Sequence, residues 1–161
     1  MPVPRRGKML VVGFLAAGVL LAVLADWLRT SPAEEIGVLL DGCCGAAVAR
    51  DADAIVSAIA DDYQDGRYAK EALRDRFASL LGSYPLHAAS VSGLDVDVQG
   101  SVAYAKFRTR LRAEGEGMLA GGTVDWDMAF RRDGERWVIT RITATHLNGQ
   151  ELRGGGLFEG Y

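Results

Sequence analysis

The spacing of apolar residues changes once in the globular part of this 161-residue chain, at Pro85. Before Pro85 the apolar residues recur at helical spacing, and after it they alternate with polar residues. Alternation is typical of strands that have one buried and one wet face. Helices followed by a run of such strands predict an α+β domain, which we place at residues 31–147.

Three helices are expected before Pro85. A helix is predicted to start at residues 31–34. Ser31 can cap it, Pro32 suits the first helical position and Glu34 can complete a capping box. This helix continues to about Arg50 with one apolar stripe: Ile36, Leu39, Leu40, Cys43 and Ala47. Asp51 is the expected cap of a second helix, which ends at Asp61-Asp62. A third helix is expected over 70–81 and is closed by Gly82.

Four strands are expected after Pro85, around 94–98, 103–112, 124–131 and 137–147. Turns are expected at Gln99-Gly100, at 114–117 and at Asp133-Gly134, the last being a strong hairpin signal. The predicted architecture is three helices packed on a curved four-stranded antiparallel sheet that can enclose a cavity. The Gly-rich, aperiodic segment 148–161 is expected to be a flexible tail.

Two phrases of the sequence resemble a known superfamily. They are "RDADAIVSAIADDYQD" at 50–65 and "RRDGERWVITRI" at 131–142. Together with the order of elements over roughly 34–146, they resemble the nuclear transport factor 2-like superfamily, also called SnoaL-like or cystatin-like cone proteins. The resemblance implies a cone-shaped domain. It leaves the activity open, because the superfamily contains isomerases, dehydratases, cyclases, transport adaptors and secretion-system scaffolds.

Enzymes of that superfamily place acid–base residues inside the cone. Ketosteroid isomerase-like members use a carboxylate base with a tyrosine and a carboxylic acid, and scytalone dehydratase-like members use a His and Asp pair with tyrosines. No residue of this chain matches those sets position by position, so the catalytic residues stay unknown. The residues that we expect to line an interior pocket are Asp62, Tyr63, Tyr104, Trp126 and His146.

Each candidate also has a structural interpretation. Asp62 could be a pocket carboxylate with a raised pKa beside the Tyr63 hydroxyl, but we favour a carboxylate that bonds the local backbone while Tyr63 fills the core. His87 and His146 could act as general bases, or simply lie exposed at the ends of strands. The spacing of histidines and cysteines fits no metal site, so neither a metal nor a cofactor is expected.

Cys43 and Cys44 are adjacent, and on a helix their side chains point about 100° apart, which disfavours a disulfide between them. We expect the small residues at 42–47 to permit close helix packing, with an intermolecular disulfide as the alternative. The densest basic feature is a row on one strand, Lys106, Arg108, Arg110 and Arg112. We interpret it as the solvent-exposed face of a strand that forms cross-strand ion pairs. The alternative is a binding site for an anionic ligand or partner.

Residues 9–28 are almost wholly apolar, and at about 1.5 Å per residue they would span the roughly 30 Å hydrocarbon core of a bilayer. Basic residues at 5, 6 and 8 place residues 1–8 in the cytoplasm and the domain outside it. The alternative is a signal peptide cleaved after Ala25, which leaves the domain in the same compartment. We therefore expect a single-pass membrane protein.

The part of the chain after residue 30 carries 14 Lys and Arg against 20 Asp and Glu, a net charge of −6. Nucleic acid is therefore not an expected partner, since phosphate binding needs clustered basic residues. The expected partners are the bilayer, through residues 9–28, and a second copy or another membrane protein. The favoured function is a non-enzymatic interaction, assembly or ligand-binding module. The alternative is a SnoaL-like isomerase, dehydratase or hydrolase that uses the cone pocket.

Overall fold

The computed structural model describes residues 31–64, 68–115 and 118–152, without the side chains of 114–120. All of them but Ser31 belong to a compact unit that begins at Pro32. The elements are α1 (Pro32–Ala49), α2 (Ala52–Ser57), α3 (Lys70–Ser83), β1 (Leu86–Gln99), β2 (Val102–Gly115), β3 (Met118–Asp133), β4 (Arg136–Leu147) and β5 (Gln150–Glu151). Helices followed by antiparallel strands confirm the predicted α+β class.

Three sequence predictions fall outside this range. The basic start at 1–8, the membrane helix at 9–28 and the last part of the expected tail, 153–161, are not among the described residues. Within the described ranges, no helix is both long and apolar enough to cross a membrane.

The junction between α1 and α2 follows from local chemistry. Arg50 leaves α1 with a φ of 57°, and the amides of Arg50 and Asp51 bond back to the carbonyls of Ala47 and Ala46 at 3.2 and 2.9 Å. This pairing is a Schellman motif, which satisfies the last carbonyls of a helix. Asp51 then caps α2 as predicted, because its carboxylate accepts a 2.9 Å bond from the Ala54 amide.

Helix α2 ends at Ser57, earlier than the predicted end at Asp61-Asp62. The reason is a backbone connection to strand β4. The Ala60 amide donates to the Ile139 carbonyl at 2.9 Å, and the Ile139 amide donates to the Ala58 carbonyl at 2.8 Å. Since these backbone groups pair with a strand edge, they cannot continue the helix. A competing tertiary contact therefore shortens α2.

Helix α1 packs on β1, and its buried residues are Ile36, Leu40 and Cys44. The apolar stripe that faces the sheet is therefore rotated slightly about the helix axis from the predicted stripe. Among the described residues, no close helix packing is seen at Gly42 or Gly45: apart from the backbone of α1 itself and the adjacent residues, no atom lies within 4 Å of the place a Cβ would occupy. The close approach is at Gly37, where a Cβ would lie 3.4 Å from the Leu94 side chain.

The sheet is antiparallel with the strand order β1-β2-β3-β4-β5. The turns predicted at Gly100 and Gly134 are confirmed, and both glycines have positive φ, 65° and 61°. Strands β2 and β3 pair without a register shift from Val102 opposite Arg131 to Gly115 opposite Met118. The turn predicted at 114–117 lies partly outside the described residues, since β2 extends to Gly115 and β3 begins at Met118.

The prediction of four strands is wrong by one, because a fifth, β5, pairs with the end of β4. The turn between them is Asn148-Gly149, with φ values of 52° and 80°. Positive φ at both positions is the requirement of a type I′ hairpin turn, which Asn-Gly favours. The Asn148 side chain also accepts a 2.9 Å bond from the Thr123 amide. The first residues of the expected tail therefore belong to the sheet.

The short helix α2 is attached to α3 by ion pairs. Arg74 bonds both carboxylate oxygens of Asp53, and Lys70 contacts Asp61 at 2.6 Å while donating to the Ile59 carbonyl at 2.7 Å. Hydrogen bonds from Arg74 and Lys70 hold the pKa values of Asp53 and Asp61 below the usual range for Asp. These contacts hold α2 and the segment after it, as far as Asp61, against α3.

We expect Asp51→Ala to lower the free energy of unfolding by about 0.5–2 kcal/mol, because the Ala54 amide loses its cap. Asp51→Asn retains an acceptor and is expected to stay close to wild type. Urea unfolding of the full chain in non-ionic detergent, followed by near-UV circular dichroism, measures both. Equal losses in the two variants would show that the carboxylate charge, and not the cap, matters.

The lowered pKa values of Asp53 and Asp61 predict an acid-sensitive stability. Their contribution is present above the unfolded-state pKa of about 3.9 and is lost as the pH falls through the folded-state values. Arg74→Gln is therefore expected to flatten the decline of unfolding free energy between pH 5 and pH 2. Lys106→Gln, which removes a cation that has no ion pair among the described residues, serves as the control. An unchanged slope in Arg74→Gln would contradict the assignment.

Candidate functional site

The space between the helices and the sheet is filled by side chains. Tyr63, Phe107, Phe130 and Trp137 are each at most 5% exposed and belong to one core cluster with residues of α1, α2 and α3. Among the described residues, Thr109 is the one buried residue that is polar or charged, and its hydroxyl accepts a 2.8 Å bond from the Trp126 indole. No ionisable carboxylate, lysine, arginine or histidine of the described residues is buried there.

A groove of about 660 Å³ lies on the other face of the sheet, and we call it the outer groove. Because side chains alternate along a strand, the residues between the core positions of β2 and β3 point to this face. Ser92, Gly93 and Thr145 form part of its wall. The ionisable residues that line it are Lys106, Arg108, Arg110, Asp125, Asp127 and His146.

Two irregularities of strand pairing border the outer groove. The β1–β2 register shifts between Ser92 and Asp95, around Gly93 with a φ of 62°. The β3–β4 register shifts between Asp125 and Trp126. A bulge bends its strand and increases the local twist. The bent strands give this face of the sheet a concave region that an evenly paired sheet would lack.

The centre of the outer groove is an ion pair. The Arg108 guanidinium bonds both carboxylate oxygens of Asp125, at 2.5 and 2.9 Å, and this bonding lowers the pKa of Asp125. The His146 Nδ1 lies 3.9 Å from the same carboxylate and 3.1 Å from the Thr145 hydroxyl. Asp127 is paired with Arg141 at 3.1 Å. Both carboxylates of the groove are therefore neutralised by arginines, as the alternation of acidic and basic strand faces predicted.

The five residues expected to line one pocket occupy three different environments. His146 lines the outer groove. Tyr104 points to the same face of the sheet and is 40% exposed, whereas Tyr63 is 4% exposed in the core. The Trp126 side chain lies on the inner face opposite Phe107, where it packs against the core and its indole donates to the Thr109 hydroxyl. Asp62 lies at the surface, where Arg131 bonds both of its oxygens at 2.9 and 3.0 Å. The structure therefore does not bring these residues together.

Asp62 has the electrostatics of a structural carboxylate. The hydrogen bond from Arg131 lowers its pKa, which is the opposite of the raised pKa that an acid catalyst needs. The Arg131 contact connects the segment after α2 to β3. This geometry agrees with the structural interpretation of Asp62, with Arg131 as the main partner and a backbone hydrogen bond as the second cause of the lowered pKa.

The two cysteines are not activated. Both are free, and burial raises the pKa of Cys43 to about 11, with the neighbouring Cys44 as a second cause. Burial is also the main cause of the raised pKa of Cys44. Since the thiolate is the reactive form, thiols protonated at neutral pH are poor nucleophiles. Within the described ranges, no three His, Cys, Asp or Glu residues are grouped so as to hold a metal ion.

No protein-family model matches this chain, and no curated protein matches it in sequence. Its fold does match solved structures. An NTF2-like protein with a cystatin-like fold from Novosphingobium aromaticivorans has a TM-score of 0.59 at 19% identity, with 86% of this chain and 89% of that chain covered. An NTF2-like protein from Cytophaga hutchinsonii has a TM-score of 0.60 at 12% identity, with 76% of this chain and 100% of that chain covered.

A third match is an NTF2-like family protein from Streptomyces avermitilis that is provisionally named a dehydratase. Its TM-score is 0.56 at 18% identity, with 69% of this chain and 92% of that chain covered. Similarity at such low identity establishes the fold and leaves the activity open. The described part of this chain therefore has the NTF2-like, cystatin-like cone fold.

Proposed function

We propose that the domain is a non-enzymatic binding or assembly module, and that the outer groove is its binding surface. The observation that carries this proposal is the filled interior. Acid–base catalysis inside a cone requires ionisable groups that converge on a cavity, whereas Phe107, Phe130 and Trp137 occupy that space here. The ionisable residues are instead grouped on the opposite face of the sheet.

The ion pairs of the outer groove also favour the binding of a partner over proton transfer. Asp125 is held ionised by Arg108, and a carboxylate with a lowered pKa is a weak base near neutral pH. Asp127 is likewise bonded to Arg141. Fixed ion pairs present a defined pattern of donors and acceptors, which supports specificity for a complementary partner.

The proposal includes the membrane segment that the sequence predicts. Residues 9–28 would anchor the chain, with residues 1–8 in the cytoplasm and the domain outside it. The expected helix start at Ser31 leaves almost no linker after residue 28, and α1 does begin at Pro32. The expected occupant of the outer groove is then a second copy of the chain, another membrane protein or a small ligand.

We expect Ser92→Trp to block the outer groove without removing a charge. Ser92 lies on β1 directly opposite Arg108, so an indole at this position fills the central part of the groove. Native mass spectrometry of the full chain, released from detergent micelles, reads both the number of copies and any bound molecule. Wild type is expected to carry a second copy or a bound molecule, and Ser92→Trp is expected to lose it.

The matched control is Ser101→Trp, which adds the same indole to the exposed turn between β1 and β2. It is expected to behave as wild type. A bare wild-type monomer, purified gently from its native membrane, would contradict the proposal. The same conclusion follows if Ser92→Trp and Ser101→Trp lose the bound mass equally.

One arrangement favours a second candidate, a lyase or isomerase that works in the outer groove. His146 lies next to the Asp125 carboxylate and the Thr145 hydroxyl, and a structural relative is provisionally named a dehydratase. A histidine close to a carboxylate can remove a proton next to a carbonyl group.

This candidate predicts exchange of α-protons. The full chain is incubated with a panel of β-hydroxy ketones in heavy water, and deuterium uptake is followed by mass spectrometry. If the groove is catalytic, uptake exceeds that in buffer and falls by about 100-fold or more in His146→Ala. His87→Ala, which removes the other histidine, is the control. Uptake equal to that in buffer would reject the enzyme.

A further inference from the structure

The basic row of β2 has unequal surroundings along its length. Lys106, Arg108, Arg110 and Arg112 share the outer face of the sheet and are spaced about 7 Å apart. Lys106 lies between Asp95 and Asp127 in the register of the neighbouring strands. Arg108 is bonded to Asp125. Carboxylates therefore accompany the first two cations of the row.

The other two cations have no acidic neighbour in register. Arg110 lies between Ser90 of β1 and Thr123 of β3, and Arg112 lies between Ala88 and Gly121. Neither arginine has an ion-pair partner among the described residues. Both are exposed. Among the described side chains, this end of the row is therefore positive and has no carboxylate beside it, and its cross-strand neighbours are small or carry hydroxyl groups.

We propose that Arg110 and Arg112 bind the anionic group, a carboxylate or a phosphate, of a ligand whose remaining part lies along the outer groove towards Arg108 and His146. The guanidinium fork bonds two oxygens of such a group at once. Ser90 and Thr123 place hydroxyl donors on either side of Arg110. This inference rests on the proposed function, because it names the class of ligand for the same groove.

The charge pattern also determines the orientation of the ligand. An anion near Lys106 would lie close to Asp95 and Asp127 and be repelled by them. An anion near Arg110 meets no carboxylate in register. The volume of about 660 Å³ is within the range of small-molecule sites. The ligand therefore enters with its charged end towards Arg110 and Arg112.

The test uses the full chain in phosphatidylcholine nanodiscs and follows the arginine side-chain Nε–Hε signals by nuclear magnetic resonance. Inorganic phosphate and citrate are titrated at constant ionic strength, and a second arm adds phosphatidic acid to the nanodiscs. A saturable shift with the soluble anions identifies a free ligand. A shift with phosphatidic acid alone identifies a lipid headgroup, which carries the same chemistry.

Arg110→Gln is expected to weaken binding about tenfold or more, because it removes a charge-assisted pair of hydrogen bonds. Arg110→Lys, which keeps the charge but loses the fork, is expected to be intermediate. The control is Arg136→Gln, which removes one arginine charge at the start of β4, outside the outer groove. This variant is expected to bind the anion as wild type does. Because Arg110 is exposed, its variants are expected to keep the fold. Their backbone amide spectra verify this.

Two results would overturn the anion site: no saturable shift at Arg110 or Arg112 in either arm, or equal weakening by Arg110→Gln and Arg136→Gln. The broader proposal is tested separately. If no anion binds, but wild type still carries a second copy or a bound molecule that Ser92→Trp removes, the anion site is wrong and the binding module stands. If both experiments fail, the outer groove is not a binding surface.

Discussion

The β2–β3 ladder is the constraint on which the other parts of the domain depend. Its register is continuous from Val102 opposite Arg131 to Gly115 opposite Met118. Because side chains alternate, this register places Ala103, Ala105 and Phe107 against the helices and the basic row on the opposite face. A slip of one residue would exchange the two faces. The core and the outer groove are consequences of the same pairing.

The ladder also explains why the proposed binding surface differs from the interior pocket that the superfamily resemblance implies. Large aromatic residues occupy the inner face, and no carboxylate, lysine, arginine or histidine of the described residues is buried in the cone. The outer face carries the charged residues of the outer groove, and bulges at Gly93 and near Asp125 bend its strands. These features support the proposal that the domain binds a partner at the outer face of the sheet.

Most of the elements were predictable, because they depend on local signals. The Asp51 cap, the turns at Gly100 and Gly134 and the alternation along β2 follow from propensity and backbone geometry. The Asn148-Gly149 turn was also encoded locally, but the Gly-rich segment after it obscured that signal. The early end of α2 had no local signal, since it results from backbone bonds to Ile139.

The sequence by itself determined the class of fold, the acidic and basic faces of the strands and the row of cations on β2, because all three depend on the spacing of residues within single helices and strands. The tertiary structure decided which candidates meet. Tyr63 is in the core, Asp62 is bonded to Arg131, and His146 lies near Asp125. Such contacts depend on register shifts and on the curvature of several strands together. No single segment contains that information.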